Sequence, residues 1–189
     1  PGNIADRKQV VEVIHACRSA AIPIRIGVNE GSVVERRDKQ LRSAEKQRLA
    51  EDPHRQMIAL MLGKLEDYIR IFESEGFDAL VLAAKSPDPR LVIDVNRAIA
   101  ERFDFPLHLG VTHAGPPETG RIRSVAALAT LLAEGIGDTI RISYAADPIH
   151  EVEDGHELLC TLGLRQRTAP ELIACPTCGR IEIDLFRLV

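Results

Sequence analysis

The sequence lacks the features that mark several classes of protein. Its 24 Lys and Arg do not outnumber its 28 Asp and Glu, so it has no excess of basic charge. Because duplex binding usually needs a basic face, nucleic acid is not expected as the main partner. No apolar run reaches membrane-spanning length, so no membrane association is expected. Residues 1–4 (PGNI) do not resemble a signal peptide. The absence of an initial Met leads us to expect a fragment of a longer protein.

Cysteine is also scarce, with four residues in a chain of 189. This number is too small for a disulfide scaffold, and a reducing cytoplasm is the expected compartment. Cys17 and Cys160 fall in separate predicted helices, where small buried hydrophobic residues are expected. Only Cys175 and Cys178 form a pair, with the spacing CxxC.

The CxxC pair is typical of three kinds of site. A redox pair of the thioredoxin type is the least favoured, because it should follow the first strand of its fold, and here it comes late and precedes Gly179. A structural zinc site and an iron–sulfur cluster both need further ligands. The spacing alone leaves these two possibilities comparable.

Apolar strands alternate with amphipathic helices along most of the chain. Strands are predicted to start near residues 23, 79, 107, 138 and 171, and residues 30–55 are predicted to form a charged, solvated stretch. This alternation predicts an α/β fold with parallel strands covered by helices. A (β/α)₈ barrel and an open doubly wound sheet both fit, although about four units are too few for a whole barrel. No GxGxxG or GxxxxGK[ST] pattern follows a strand, which disfavours a nucleotide-binding sheet.

Several polar residues stand at or near the carboxyl ends of these strands, where parallel α/β folds place their chemistry. They are Arg25, Asn29, Lys85, His113, Arg141 and Ser143. Cations that converge at the carboxyl ends of the strands predict a site for an anionic small molecule. His113 is either a general acid or base or an ordinary loop histidine. The other histidines, His15, His54, His108, His150 and His156, show no ligand spacing, so surface or core positions are expected for them.

Five stretches together resemble one family, the iron–sulfur 4-hydroxy-3-methylbut-2-en-1-yl diphosphate synthases of the non-mevalonate isoprenoid pathway. They are residues 1–4 (PGNI), 23–29 (PIRIGVN) with Gly31 and Ser32, 107–112 (LHLGVT), 134–143 (EGIGDTIRIS) and 173–180 (IACPTCGR). The resemblance implies the second half of a (β/α)₈ TIM-type barrel over residues 1–170. Residues 171–189 would begin a small cluster domain.

The resemblance also implies an activity and its partners. The enzyme would open and reduce 2-C-methyl-D-erythritol 2,4-cyclodiphosphate with electrons from ferredoxin or flavodoxin. It would act as a homodimer in which the cluster domain of one subunit covers the barrel of the other. Its [4Fe–4S] cluster would be held by three Cys and a Glu, of which Cys175 and Cys178 are the first two ligands. The remaining ligands are expected beyond Val189.

The resemblance assigns substrate contacts to Arg25, Asn29, Lys85, Arg141 and Ser143. The resemblance assigns a catalytic position to His113, which stands where the family has a Glu thought to handle protons. This replacement of Glu by His is the main departure from the family's pattern. The barrel's first half, with further phosphate contacts, would precede Pro1. The alternative function is a non-catalytic zinc-binding α/β module, in which CxxC is structural and the cations pair internally.

Overall fold

The structure is a computed structural model that describes residue 4, residues 6–33, 52–173 and 182–184, and residue 187. Helices and strands alternate through this part of the chain. The helices are α1 (Arg7–Ser19), α2 (Glu30–Val33), α3 (Pro53–Ser74), α4 (Pro89–Arg102), α5 (Pro117–Ala133) and α6 (Pro148–Thr161). The strands are β1 (Ile24–Asn29), β2 (Leu80–Lys85), β3 (His108–Gly110) and β4 (Thr139–Arg141).

Four of the helices begin at an aspartate that caps the first turn. The carboxylates of Asp6, Asp52, Asp88 and Asp147 each accept a hydrogen bond from a backbone N–H two or three residues further on. In three of them a proline follows, where its missing N–H costs no helical hydrogen bond.

The strands are parallel and lie side by side in chain order. β1 pairs with β2 and β3 pairs with β4. The bridge between Leu82 and Leu107 joins the two pairs, with a 2.9 Å hydrogen bond from the Leu82 N–H to the Pro106 carbonyl. The predicted parallel β/α organisation is thus confirmed, and it is consistent with a partial barrel.

The strand predicted near residue 171 is wrong for the residues that the structure describes there. Residues 171–173 form no strand, and Leu172 and Ile173 are 68% and 87% exposed. Their backbone has no neighbouring strand to pair with in the described part of the chain. An apolar run without a partner cannot complete a ladder, which is why hydrophobicity alone misled the prediction.

Alternation along the strands separates a core face from a second face. Ile24, Ile26 and Val28 of β1 are buried, whereas Arg25 is exposed. The buried side chains form one core with the inner faces of the helices, where Met61, Leu65 and Phe72 of α3 are fully buried. The second face carries the polar residues of the candidate site. Among the described helices none is long and apolar enough to cross a membrane.

A glycine controls how the chain enters β4. Gly137 has a φ of +114°, and a Cβ there would lie 2.4 Å from Cδ1 of Leu109. Any other residue would meet both backbone strain and a clash with the core. This position brings β4 close against β3, so that Arg141 comes to lie beside Gly110.

Candidate functional site

Four strand-end residues form one row across the sheet. Asn29 pairs in register with Lys85, and Gly110 pairs with Arg141. The register of the Leu82–Leu107 bridge places Gly110 beside Lys85. The row therefore runs Asn29, Lys85, Gly110, Arg141 at the carboxyl ends of β1 to β4, where parallel α/β folds place their sites.

Gly110 allows the two central cations to lie close together. A Cβ at Gly110 would be 3.6 Å from both Cε of Lys85 and Cβ of Arg141, and 3.0 Å from the Arg141 carbonyl oxygen. The side chains of Lys85 and Arg141 therefore project from the same face as Gly110, on either side of it. The structure brings these two predicted site residues together.

The charges in this row are not compensated by the described residues. Lys85 is 8% exposed, and burial, followed by the charges of Arg141 and Arg25, lowers its pKa from 10.5 to about 8. No carboxylate in the described part of the chain forms a salt bridge with Arg25, Lys85 or Arg141. Three cations without an acidic partner are suited to bind an anion.

Arg25 lies four positions before Asn29 on β1, on the face that carries the row. Its side chain is exposed, and its charge acts on both Lys85 and the buried His108. A guanidinium in an otherwise apolar strand calls for an anionic partner. No such partner lies within salt-bridge distance among the residues that the structure describes.

The loop after β1 is fixed by a serine. The Ser32 hydroxyl accepts a 2.9 Å hydrogen bond from the Asn29 N–H and donates a 2.8 Å hydrogen bond to the Asn29 carbonyl. The backbone of Asn29 is therefore held by its own loop, and its side chain stays half-buried at the end of the row.

Ser143 follows the end of β4 and is half-buried. The next residue is anchored firmly: the Tyr144 N–H donates to Oε1 of Glu151 at 2.8 Å, and its hydroxyl donates to Asp154. Burial and the bond to Asp154 raise the pKa of Tyr144 to about 12. The loop that carries Ser143 is thus pinned to α6.

His113 lies in the loop after β3 and is exposed. Its φ of +53° is in the left-handed region, which costs energy for a residue with a side chain. Its nearest polar contact is weak, with Nδ1 3.5 Å from Oγ1 of Thr112. A role as general acid or base stays a prediction.

Glu30 is a carboxylate near the strand ends that was not predicted as a site residue. Glu30 directly follows β1, and its Oε2 accepts a 2.7 Å hydrogen bond from the hydroxyl of Ser86, the residue after β2. The charged composition of residues 30–55 predicted a solvated stretch. Glu30 instead begins the short helix α2, and nothing in its local sequence signals a partner 56 positions away.

His108 was not predicted as a site residue either. The structure buries this residue to 6% exposure at the start of β3, on the face of Gly110. Its Nδ1 lies 2.8 Å from Oγ1 of Thr139, and its buried Nε2 has no hydrogen-bond partner among the described residues. Burial, and then the charges of Lys85, Arg25 and Arg141, lower its pKa to about 4. The alternation of side chains along a strand could have identified His108, because it places residues 108 and 110 on the same face.

The predicted metal ligands Cys175 and Cys178 lie outside the described residues. Cys17 and Cys160 are free thiols in α1 and α6, separate from each other and half-buried. Within the described ranges no group of three or more His, Cys, Asp or Glu side chains could hold a metal ion.

Comparison with known proteins gives consistent matches along the chain. The sequence profile of the GcpE TIM-barrel domain matches residues 1–156. A protein of Geobacter sulfurreducens is 42% identical over 186 residues, which cover 98% of this chain and 49% of that protein. A protein of Corynebacterium efficiens is 43% identical over 190 residues, covering all of this chain and 47% of that one. A protein of Geobacillus kaustophilus is 41% identical over 188 residues, covering all of this chain and 47% of that protein.

All three relatives carry the name 4-hydroxy-3-methylbut-2-en-1-yl diphosphate synthase (flavodoxin). The chain spans about half the length of the curated relatives it matches. Of the two architectures that the sequence allowed, the domain profile supports the TIM barrel over the open sheet.

Proposed function

The chain belongs to the GcpE TIM-barrel family, and on that premise we propose that the complete protein is an iron–sulfur oxidoreductase of isoprenoid biosynthesis. It would convert 2-C-methyl-D-erythritol 2,4-cyclodiphosphate into 4-hydroxy-3-methylbut-2-en-1-yl diphosphate. The names of the relatives support the product. Residues 1–170 would supply half of the barrel and residues 171–189 the start of the cluster domain.

The observation that carries this proposal is the group of uncompensated cations at the strand ends. The charges of Arg141 and Arg25 both act on Lys85, and none of these three residues has a carboxylate within salt-bridge distance in the described ranges. A diphosphate supplies the negative charge that such a group lacks, and arginine can bind two of its oxygens at once.

Each residue of the site would have a distinct role. Arg25, Lys85 and Arg141 would neutralise the diphosphate, while Asn29 and Ser143 would orient it through hydrogen bonds. A bound anion opposes the effects that lower the pKa of Lys85, so it favours the charged ammonium. His113, in the exposed loop after β3, would move protons to and from the substrate.

Cys175 and Cys178 would be two ligands of a [4Fe–4S] cluster. When bound, such a cluster supplies electrons one at a time. Flavodoxin is the proposed donor, because the relatives' names specify it. We further propose a cytoplasmic homodimer that binds neither nucleic acid nor membrane.

The alternative, a structural zinc module, requires that the cations pair internally. The structure argues against this requirement, because Arg25, Lys85 and Arg141 form no salt bridge with any carboxylate in the residues it describes.

Metal analysis of the complete protein separates the two functions. After anaerobic reconstitution with iron and sulfide, the proposal expects a brown protein with broad absorbance near 400 nm (about four iron atoms per chain). Replacing Cys175 with Ser should remove the colour, and Cys17→Ser is the matched control that should retain it. A colourless protein with stoichiometric zinc would contradict the proposal.

A further inference from the structure

His108 lies in the anion site rather than in the hydrophobic core. It is paired in register with Thr139, and Gly110, two residues further on, is paired with Arg141. Side chains two positions apart on a strand project from the same face, so the imidazole shares the face of the cations. Leu109, between them, projects to the opposite face and packs against Gly137.

Two buried nitrogen atoms on this face have no partner in the described part of the chain. They are Nε2 of His108 and Nε of Arg141. Buried polar atoms are nearly always hydrogen-bonded, and a buried atom without a partner often marks a binding site. His108 lies on β3 and Arg141 on β4. His108 pairs with Thr139, which is two residues before Arg141.

The other imidazole nitrogen is already engaged. Nδ1 of His108 lies 2.8 Å from the Thr139 hydroxyl oxygen, which can either donate or accept. An anionic oxygen can only accept, so binding of an anion at Nε2 requires a proton on that atom. The Thr139 hydroxyl can then donate to Nδ1, and the contact thus supports the required tautomer.

Burial and the positive charges around the ring keep it neutral. Burial first, and then the charges of Lys85, Arg25 and Arg141, lower the pKa of His108 to about 4. A fourth positive charge would increase the repulsion among the cations. A neutral N–H donor adds a hydrogen bond to a bound anion without this repulsion.

We propose that His108 binds the substrate, donating its Nε2–H to a phosphoryl oxygen that Arg141 Nε also contacts, with Thr139 selecting the tautomer. This inference rests on the proposed function, because the anion is taken to be the cyclic diphosphate. Thr139 acts through His108 and is therefore a positioning residue.

Calorimetric titration of the complete protein with 2-C-methyl-D-erythritol 2,4-cyclodiphosphate tests the contact. Because hydrogen bonds to charged groups are strong, His108→Leu should weaken binding by ~10-fold or more. His108→Gln keeps an N–H donor and should retain part of the lost affinity. Thr139→Val, at an exposed position, should weaken binding less than His108→Leu does. His15→Gln, on the exposed surface of α1, is the control and should bind as the unmodified protein does.

A second measurement reads the tautomer directly and remains valid where His108→Leu does not fold. In protein carrying ¹⁵N-labelled histidine, ligand should shift the ring signals of His108 towards the form with a protonated Nε2 and a bare Nδ1. Thr139→Val should reduce that shift.

The possible results separate this inference from the proposed function. Normal diphosphate binding with an unchanged His108 signal, or with full affinity in a folded His108→Leu variant, would overturn the inference alone. Failure of the unmodified protein to bind the cyclic diphosphate would overturn the proposed function and this inference with it.

Discussion

Lys85 and Arg141 lie on either side of Gly110, and a Cβ at that glycine would be 3.6 Å from a side-chain carbon of each. Two cations so placed repel each other, and burial, followed by this repulsion, lowers the pKa of Lys85 to about 8. The arrangement costs stability unless a ligand relieves it.

Gly110→Ala should disrupt the row. The added Cβ would lie 3.0 Å from the Arg141 carbonyl oxygen, which is backbone and cannot easily move. We expect a lower melting temperature and weaker binding of the cyclic diphosphate by the complete protein. Gly63→Ala, on α3, is the control, because a Cβ there meets nothing within 4 Å. Equal behaviour of the two variants would show that the close approach at Gly110 has no consequence.

Arg141→Ala should remove a charge-assisted contact with the diphosphate. Such contacts are worth ~1.5–3 kcal/mol, so the dissociation constant should rise roughly 10- to 100-fold. Arg70→Ala removes an exposed arginine of α3 that pairs weakly with Asp67, and it should leave binding unchanged. Calorimetry provides the measurement. Unchanged affinity in Arg141→Ala would exclude this residue from the site.

The affinity for the diphosphate should fall as the pH rises above about 8. The pKa of Lys85 in the anion-free protein is about 8, so above that pH the ammonium loses its proton and the site loses a charge. In Lys85→Arg the charge persists, because guanidinium stays protonated throughout this range. Titrations from pH 7 to 10 should show a steeper loss in the unmodified protein. Because ligand ionisation is common to both proteins, parallel curves would contradict the assignment.

Lys85 should also affect stability in the same pH range without ligand. Its folded-state pKa is lower than its ordinary value of 10.5, so between about pH 8 and 10.5 the unfolded state binds more protons. The contribution of Lys85 to the free energy of unfolding therefore rises with pH across this window. Urea denaturation of the complete protein and of Lys85→Met should show this slope only in the former. A falling contribution would reverse the sign and contradict the pKa.

His113 provides a test that separates strain from chemistry. Its positive φ means that His113→Gly should relieve backbone strain, with a stability gain of up to ~1 kcal/mol. The same change should reduce turnover if His113 moves protons, and His113→Glu should restore part of it. Equal turnover of the Glu, Gly and unmodified proteins would show that the residue is neither acid nor base. Thermal unfolding and steady-state rates supply the two measurements.

The local sequence was sufficient to predict some parts of the molecule. Aspartate caps followed by proline locate helix starts, and short apolar runs that end in Asn29 or Lys85 indicate strands, because these signals lie within a few residues of one another. The row of cations followed from the general rule that parallel strands end at one edge. These features needed no knowledge of which strand neighbours which.

Other parts depend on register between distant segments. His108 joins the site because β3 pairs with β4 in a register that places it opposite Thr139, 31 positions away. Glu30 meets Ser86 across 56 positions. The strand predicted near residue 171 is absent over the described residues 171–173 for a related reason, since an apolar run becomes a strand only beside a partner. Local composition contains none of this information.

Turnover by the complete protein tests the central claim most directly. The reconstituted protein would be incubated anaerobically with 2-C-methyl-D-erythritol 2,4-cyclodiphosphate and reduced flavodoxin, and the products identified by mass spectrometry. The account predicts 4-hydroxy-3-methylbut-2-en-1-yl diphosphate, with much slower formation by the Arg141→Ala and Cys175→Ser variants. Unchanged substrate in the presence of a reconstituted cluster and reduced donor would contradict it.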